Sequence, residues 1–443
     1  MYWLGIYGSL NNSSIHTPGK CFARILATME GVSQTFHFDV LIVGAGPAGA
    51  AAAFFASKQG LSALLVDAEQ FPRDKTCGDG LTPRAMRMLE KMGLAGQLTA
   101  TYRSNGLKLH GFGGSVTAPW PDSPFGEVGS ACRRTEFDHL LVQHASAQPE
   151  VTTWLGATVH SPTLQGGRVA EVVVTHEGVD KQVRPRHVIV ADGVRSTFGK
   201  QLGREWHRGE VYGIAARSYC ATPLSDEPWI HSHLELRSPD GVAQPGYGWI
   251  FPLGNGFANV GCGALSTDKR PARVNTKKLL HHYADSLAVE WSFGAPSEVA
   301  SALLPMGGAV TGVAGPNWML IGDAAACVNP LNGEGIDYAL ETAELAIDLC
   351  TASKDFTLVW PFVLREHYGE AFMLARTLAR ALTYPQFLPV FGPVGLRVPI
   401  LMRSAARLMG NLVTEEDRDM VSRVWQSAGR LMVGARSESP LWS

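Results

Sequence analysis

A glycine-rich hexapeptide, Gly44-Ala45-Gly46-Pro47-Ala48-Gly49, follows directly on the short apolar run Phe38 to Val43. It opens an alanine-rich stretch, Pro47 to Gln59, and a second apolar run follows from Ser62 to Val66. Short β-branched runs of this kind read as buried strands, and the stretch between them as a helix. The chain therefore begins its fold as strand, tight turn, helix, strand. In that order G-x-G-x-x-G has a physical meaning. The first glycine permits the turn, the second lets the backbone approach a pyrophosphate, and the third lets helix and strand pack closely. The helix N-terminus adds free N–H groups and partial positive charge. Asp67 ends the second strand, where a carboxylate takes ribose hydroxyls. This is a dinucleotide site, and the hexapeptide alone does not distinguish NAD from FAD.

Composition excludes several alternatives. The 443 residues carry a formal net charge of -2, so no bulk attraction to nucleic acid is expected. Charged residues are only 18% of the chain, which is sparse for a soluble protein and points to extra apolar wall. The seven cysteines are scattered, odd in number and without C-x-x-C, which argues against a disulfide framework and against a zinc site. A reducing, cytoplasmic compartment and no metal are expected. No run of about eighteen apolar residues reads as a membrane span.

Along the chain, Thr82-Pro83 caps and opens a helix to about Met92. Strands are expected at 106–111, 151–159, 168–175 and 182–190, with a helix over Arg134 to His144. From about 210 to 265 the pattern is antiparallel strand with Gly and Pro turns. A helix over 274–287, a short strand over Trp318 to Ile321 and a long apolar helix from Gly333 to Cys350 complete the pattern. Residues 1–35 read as an extension outside the fold, and 356–443 as mostly helical.

Three later elements sharpen the site. Val188 to Ala191 runs into Asp192-Gly193, and Met319 to Ile321 runs into Gly322-Asp323. Gly333-Glu334-Gly335-Ile336 stands at the head of the long helix. In this order the set resembles the flavoprotein family typified by p-hydroxybenzoate hydroxylase and the geranylgeranyl reductases, over about 36–350. The resemblance implies FAD as cofactor. It also implies an α/β fold, in which a Rossmann-type FAD-binding domain carries an inserted antiparallel β-sheet substrate domain and a C-terminal helical region. The FAD domain is expected at 36–105, 128–205 and 300–355, and the substrate domain at 106–127 and 206–299. Cofactor contacts are implied for the hexapeptide Gly44 to Gly49 and for Asp67, Asp192, Asp323, Gly335 and Ile336. They are also implied for Lys75, Cys77, Gly78, Asp79 and Gly80, and for Arg134 of the R-x-x-F-D helix.

Two stretches narrow the resemblance. Lys75-Thr76-Cys77-Gly78-Asp79-Gly80-Leu81-Thr82-Pro83-Arg84 and Tyr247-Gly248-Trp249-Ile250-Phe251-Pro252 look like the cysteine loop and the Y-x-W-x-F-P strand of geranylgeranyl reductases. The first is most similar to the menaquinone-reductase branch. The implied reaction is saturation of a C=C bond in an isoprenoid chain, the prenyl tail of menaquinone first. Cys77 is the expected catalytic residue, with Lys75 placed to lower its pKa. Tyr247, Trp249 and Phe251 alternate along one strand, so they share a face that can line an apolar slot. An aromatic core stripe is the plainer alternative for that face. The same flavin motifs also serve reductases of other geranylgeranyl lipids and aromatic or lipid monooxygenases; a non-catalytic flavin binder fits least.

The expected partners are a prenyl lipid or quinone and an electron donor, NAD(P)H or a redox protein. Tyr384 to Leu412 is apolar, proline-broken and dotted with Arg397, Arg403 and Arg407. It is expected either to cap the fold or to lie peripherally on the inner face of the cell membrane.

Overall fold

The computed structural model describes residues 35–384, together with Phe387, Val390, Leu412, Ser427 and 440–442. Most of the expected N-terminal extension and of the Tyr384 to Leu412 segment therefore lies outside the described residues. In chain order the principal elements begin with β1 (Thr35–Val43), α1 (Pro47–Lys58), β2 (Ala63–Asp67), α2 (Pro83–Lys91), β3 (Gly106–Gly111) and β4 (Gly114–Pro119). Next come α3 (Arg134–Ser146), β5 (Val151–Leu155), β6 (Arg168–His176), β7 (Val179–Val190), β8 (Tyr212–Ala221) and β9 (Trp229–His233). Then follow β10 (Gly246–Pro252), β11 (Phe257–Ser266), α4 (Thr276–Trp291), β12 (Ser297–Pro305) and β13 (Trp318–Leu320). Helices α5 (Ile336–Ala352), α6 (Val359–Leu364) and α7 (Glu370–Leu382) complete the set.

The first sheet runs β13-β7-β1-β2-β5 with every neighbour parallel, and β6 pairs antiparallel with β7. Parallel strands need helices on their faces, which is why β2 and the C-terminal ends of β1 and β7 read as apolar runs. Val40, Leu41 and Ile42 are fully buried. Helix α1 owes its fit to alanine, since Ala50 to Ala53 are all buried between the sheet and the helices α3 and α5. Val43, Val190 and Leu320 stand in register. The turns after them therefore bring Gly44, Asp192 and Asp323 to one edge, the crevice at the carboxyl ends where such sheets bind ligands.

The second sheet runs β12-β8-β11-β10-β9-β3-β4, antiparallel throughout except for the parallel pair β9 and β3. It extends to Pro305, past the boundary expected at 299. Helix α4 covers one face, where Tyr283 lies over Gly248 and Leu279 and Leu280 pack with Ile250 and Val260. The opposite face carries Tyr247, Trp249 and Phe251 and looks onto the first sheet. At the C-terminal end Trp442 is fully buried and donates from Nε1 to the Ala325 carbonyl at 2.8 Å, tying the end of the chain beside the Asp323 turn.

The glycines of the hexapeptide do different jobs. Gly44 has φ +101°, and a Cβ there would lie 2.4 Å from the Ala191 carbonyl oxygen. A Cβ on Gly49 would lie 1.7 Å from the Gly44 carbonyl oxygen, whereas one on Gly46 meets only the Arg73 guanidinium, at 3.4 Å. Gly49→Ala is thus expected to destabilise the fold by about 3 kcal/mol or more, in the range of a severe steric change. Gly46→Ala should leave stability within about 1 kcal/mol while weakening cofactor retention. Thermal melts of the two apoproteins beside wild type check this, and equal melting temperatures for the two variants would refute it.

Candidate active site

A cavity of about 1540 Å³ joins the two sheets, and its walls include Gly44, Gly46, Pro47 and Ala48 of the hexapeptide, the Cys77 loop and the aromatic strand. Ala45 and Gly49, expected as cofactor contacts, are not among the lining residues, Gly49 being packed against the Gly44 carbonyl. At the nucleotide end, the Ala45 N–H donates to Asp67 Oδ2 at 2.6 Å and the Glu69 N–H to Oδ1 at 2.9 Å. Asp67 therefore braces the turn as well as facing the cavity. Asp192 accepts from the Phe198 N–H at 2.8 Å through Oδ2, and burial raises its pKa. Its Oδ1 has no protein partner among the described residues. Asp323 is bridged across the cavity by Lys75 Nζ at 3.3 Å.

Helix α5 begins at Ile336, with Gly335 as its N-cap, so the expected start at Gly333 is two to three residues early. The reason is local: Gly333 has φ +74°, a left-handed conformation that cannot continue into a helix. Glu334 then folds back and accepts from the Ile336 N–H at 3.0 Å. Burial, and next the neighbouring Asp337, hold its carboxyl well above the usual carboxylate range.

Arg204 was not expected from the sequence. It is buried, and its Nε donates to the Ala324 carbonyl at 2.6 Å. Its Nη1 and Nη2 find no partner among the described residues, although the residue lines the cavity beside Asp192 and Asp323. A buried guanidinium without acceptors is costly. An anionic dinucleotide supplies what it lacks, so the residues present fit FAD. The only sequence signal was a basic residue just after the Asp192-Gly193 turn and its short helix.

The Cys77 loop is clamped onto the second sheet by Asn259 of β11, a fully buried amide. Its Nδ2 donates to the Cys77 carbonyl at 2.9 Å and to Asp79 Oδ2 at 2.8 Å, and its Oδ1 accepts from Trp249 Nε1 at 2.9 Å. The Tyr219 hydroxyl also donates to Asp79 Oδ2, at 2.8 Å. Gly78 and Gly80 lie under the Phe251 ring, where a Cβ would come within 2.8 and 2.9 Å of it. Asn259 was missed too; a lone amide in the apolar run Phe257 to Cys262 was the signal available.

Arg134 lines the cavity but is held by its own motif, donating to Asp138 at 2.6 and 2.8 Å, and Arg73 shares that carboxylate at 3.0 Å. The expected pairing of Lys75 with Cys77 is corrected: Lys75 reaches Asp323 instead. Burial pushes the Cys77 thiol up, against the opposing pull of Arg134. Burial thus favours the neutral thiol over the thiolate. Tyr247, Trp249 and Phe251 all face the cavity. Trp249 and Phe251 are also occupied by Asn259 and by the glycine loop, and Tyr247 donates to the Asn332 carbonyl. Beyond Tyr247 the wall is apolar, with Ile214, Leu265, Leu303, Leu331 and Leu382.

Arg204→Met should raise the Kd for FAD about 10- to 100-fold, the worth of one or two hydrogen bonds from a charged group. Flavin fluorescence titration of the apoprotein measures it, and an unchanged Kd would remove Arg204 from the site.

The comparisons agree with this geometry. The FAD binding domain family matches residues 37–352. The menaquinone reductase of Mycolicibacterium smegmatis is 54% identical over 394 residues, spanning 88% of this chain and 96% of that protein. That of Mycobacterium tuberculosis is 52% identical over 394 residues, spanning 89% and 96%. A digeranylgeranylglycerophospholipid reductase of Methanopyrus kandleri is 32% identical over 366 residues, spanning 78% and 91%. Among solved structures, a geranylgeranyl bacteriochlorophyll reductase-like protein of Thermoplasma acidophilum superimposes with a TM-score of 0.68 at 21% identity, over 89% of this chain and 96% of that one. A flavin-dependent brominase gives 0.66 at 20% identity, over 90% and 100%, so the fold by itself does not select the reaction. The chain belongs to the FAD binding domain family, and it is an FAD-dependent oxidoreductase related to the menaquinone and geranylgeranyl reductases.

Proposed function

We propose that the protein saturates one C=C bond in the isoprenoid chain of a lipid, with the prenyl tail of menaquinone as first substrate. The observation that carries this reading is the single cavity that runs from the dinucleotide turn, past the Cys77 thiol, to an apolar wall. The high identity to the menaquinone reductases supports the quinone tail as the first substrate to test.

An unactivated alkene offers no charge to grip, so reduction needs a hydride, a proton and exclusion of water. FAD in its reduced form supplies the hydride. The hexapeptide, Asp67, Asp192, Asp323 and Arg204 are the residues that would hold it. The Cys77 thiol, kept neutral by burial, is the proton source at Sγ. Tyr247, Trp249 and Phe251 keep water from the reacting bond, and Ile214, Leu265 and Leu303 receive the chain. Electrons would come from NAD(P)H or from a redox carrier protein.

The lipid must be met at a membrane surface. Leu378 of α7 lines the cavity and is also exposed, and Leu358 and Phe362, earlier in the chain, are exposed as well. These exposed apolar side chains support peripheral contact. Among the described residues no helix is long and apolar enough to cross a membrane.

Anaerobic mixing of the reduced enzyme with a menaquinone should reoxidise the flavin and yield a quinone two hydrogens heavier in its tail. A geranylgeranyl lipid, run in parallel, should react more slowly. Product that is oxygenated, and formed only in air, would establish the monooxygenase reading instead. Cys77→Ala should lower turnover about 100-fold, the usual worth of a positioned acid, with FAD content unchanged. Full activity in that variant would exclude the thiol as proton source.

A further inference from the structure

The turn that carries Asp323 is left-handed at both ends. Gly322 has φ +55° and Ala326 φ +53°, a value that alanine adopts only rarely. Such backbone persists where surrounding contacts over-determine it. Three successive carbonyls here are held by residues from elsewhere in the fold. Arg204 Nε donates to that of Ala324 at 2.6 Å, Trp442 Nε1 to that of Ala325 at 2.8 Å, and the Gly308 N–H to that of Ala326 at 2.9 Å. Besides the indole, the Ala325 carbonyl meets the Cys327 thiol, at 4.0 Å. Trp442 is itself fixed from several sides. It is fully buried and stands at φ +52°, an outlier for so large a side chain. Arg365 Nη1 donates to its carbonyl at 2.7 Å. Its ring lies 5.5 Å from Phe372 of α7 and 6.5 Å from Tyr368, and both of those meet Tyr338 of α5. Gly308 makes the room, since a Cβ there would come within 2.9 Å of the indole and of Leu441. Trp442 does not line the cavity.

We propose that Trp442 is a positioning residue for the flavin, holding the Ala325 carbonyl so that the Asp323 carboxylate stays where the cofactor meets it. This rests on the placing of FAD at Asp323 above. Among the described residues Asp323 makes one ion pair, to Lys75 Nζ at 3.3 Å. That is long for a charge-assisted bond, so the backbone of the turn decides where the carboxylate points. Arg204 and Trp442 grip neighbouring carbonyls of that backbone in different ways. Arg204 lines the cavity and keeps two nitrogens for the cofactor, whereas Trp442 reaches only protein. An indole suits the second task, because it fills an aromatic pocket and brings a single uncharged donor. Phenylalanine would keep most of the packing and leave the Ala325 carbonyl without its N–H. The left-handed turn would then relax, and FAD would have to restore it on binding.

The test follows FAD release from the loaded full chain after dilution, read as the rise of free-flavin fluorescence. It compares wild type, Trp442→Phe, Asp323→Asn and the two changes combined, as a double-mutant cycle. Trp442→Phe should release FAD about 10-fold faster, while the flavin-free chain melts within a few degrees of wild type. Asp323→Asn should release it about 10-fold faster or more. The combined variant should be little faster than Asp323→Asn alone, because the indole acts through that carboxylate. Release at the wild-type rate in Trp442→Phe would overturn the proposal and leave Trp442 a packing residue. Losses that multiply in the combined variant would overturn it too, since the indole would then act by a route other than Asp323. Asp323→Asn releasing FAD as wild type does would instead sink the placing of the cofactor at Asp323, and the inference with it. That outcome is read from the single variant, so the two failures are distinct.

Discussion

The Asn259 amide is the interaction on which the site depends. A fully buried amide is tolerated only when its donors and acceptor are matched. Here they are matched by a strand neighbour, Trp249, and by two residues of a loop from the other sheet, Cys77 and Asp79. One side chain thereby ties the dinucleotide fold to the substrate sheet. The glycines at 78 and 80 complete the fit by letting the loop slide under Phe251. Loss of this clamp would open the cavity where it must be dry.

Charge in the cavity is arranged in the same spirit. Arg134 and Arg73 share Asp138, Arg217 meets Asp74, and Lys75 meets Asp323. Two things remain: Arg204 at the nucleotide end, whose Nη1 and Nη2 lack a partner among the described residues, and a set of groups biased toward their neutral forms, Cys77, Asp79 and Glu334, near the aromatic strand. An anionic cofactor suits the first. Chemistry that needs protons without bulk water suits the second. The division follows from burial, because desolvation raises every acid it covers unless a cation answers it.

Much of this was legible in the sequence. The hexapeptide, the runs ending at Val43, Val190 and Ile321, and the capped helix at Thr82-Pro83 all stand where their local chemistry places them. The Thr82 hydroxyl accepts from the Ala85 N–H at 3.3 Å, as an N-cap should. Lys75 was misread because its nearest neighbour in sequence is not its nearest opposite charge in space. The start of α5 was misread because Gly333 looked like a helix opener, whereas its left-handed turn stops the helix short. Asn259 and Arg204 were invisible for a shared reason. Each is one polar residue among many, and its importance lies in what it meets across the fold.

The sequence alone determined the dinucleotide turn, since only glycine survives the approach of Gly44 to the Ala191 carbonyl and of Gly49 to Gly44. The family resemblance made that turn an FAD site. Tertiary structure alone decided which groups stay charged around the flavin pocket. Burial and pairing depend on residues far apart in the chain, as Lys75 and Asp323 are, and no local pattern encodes the dielectric that surrounds them.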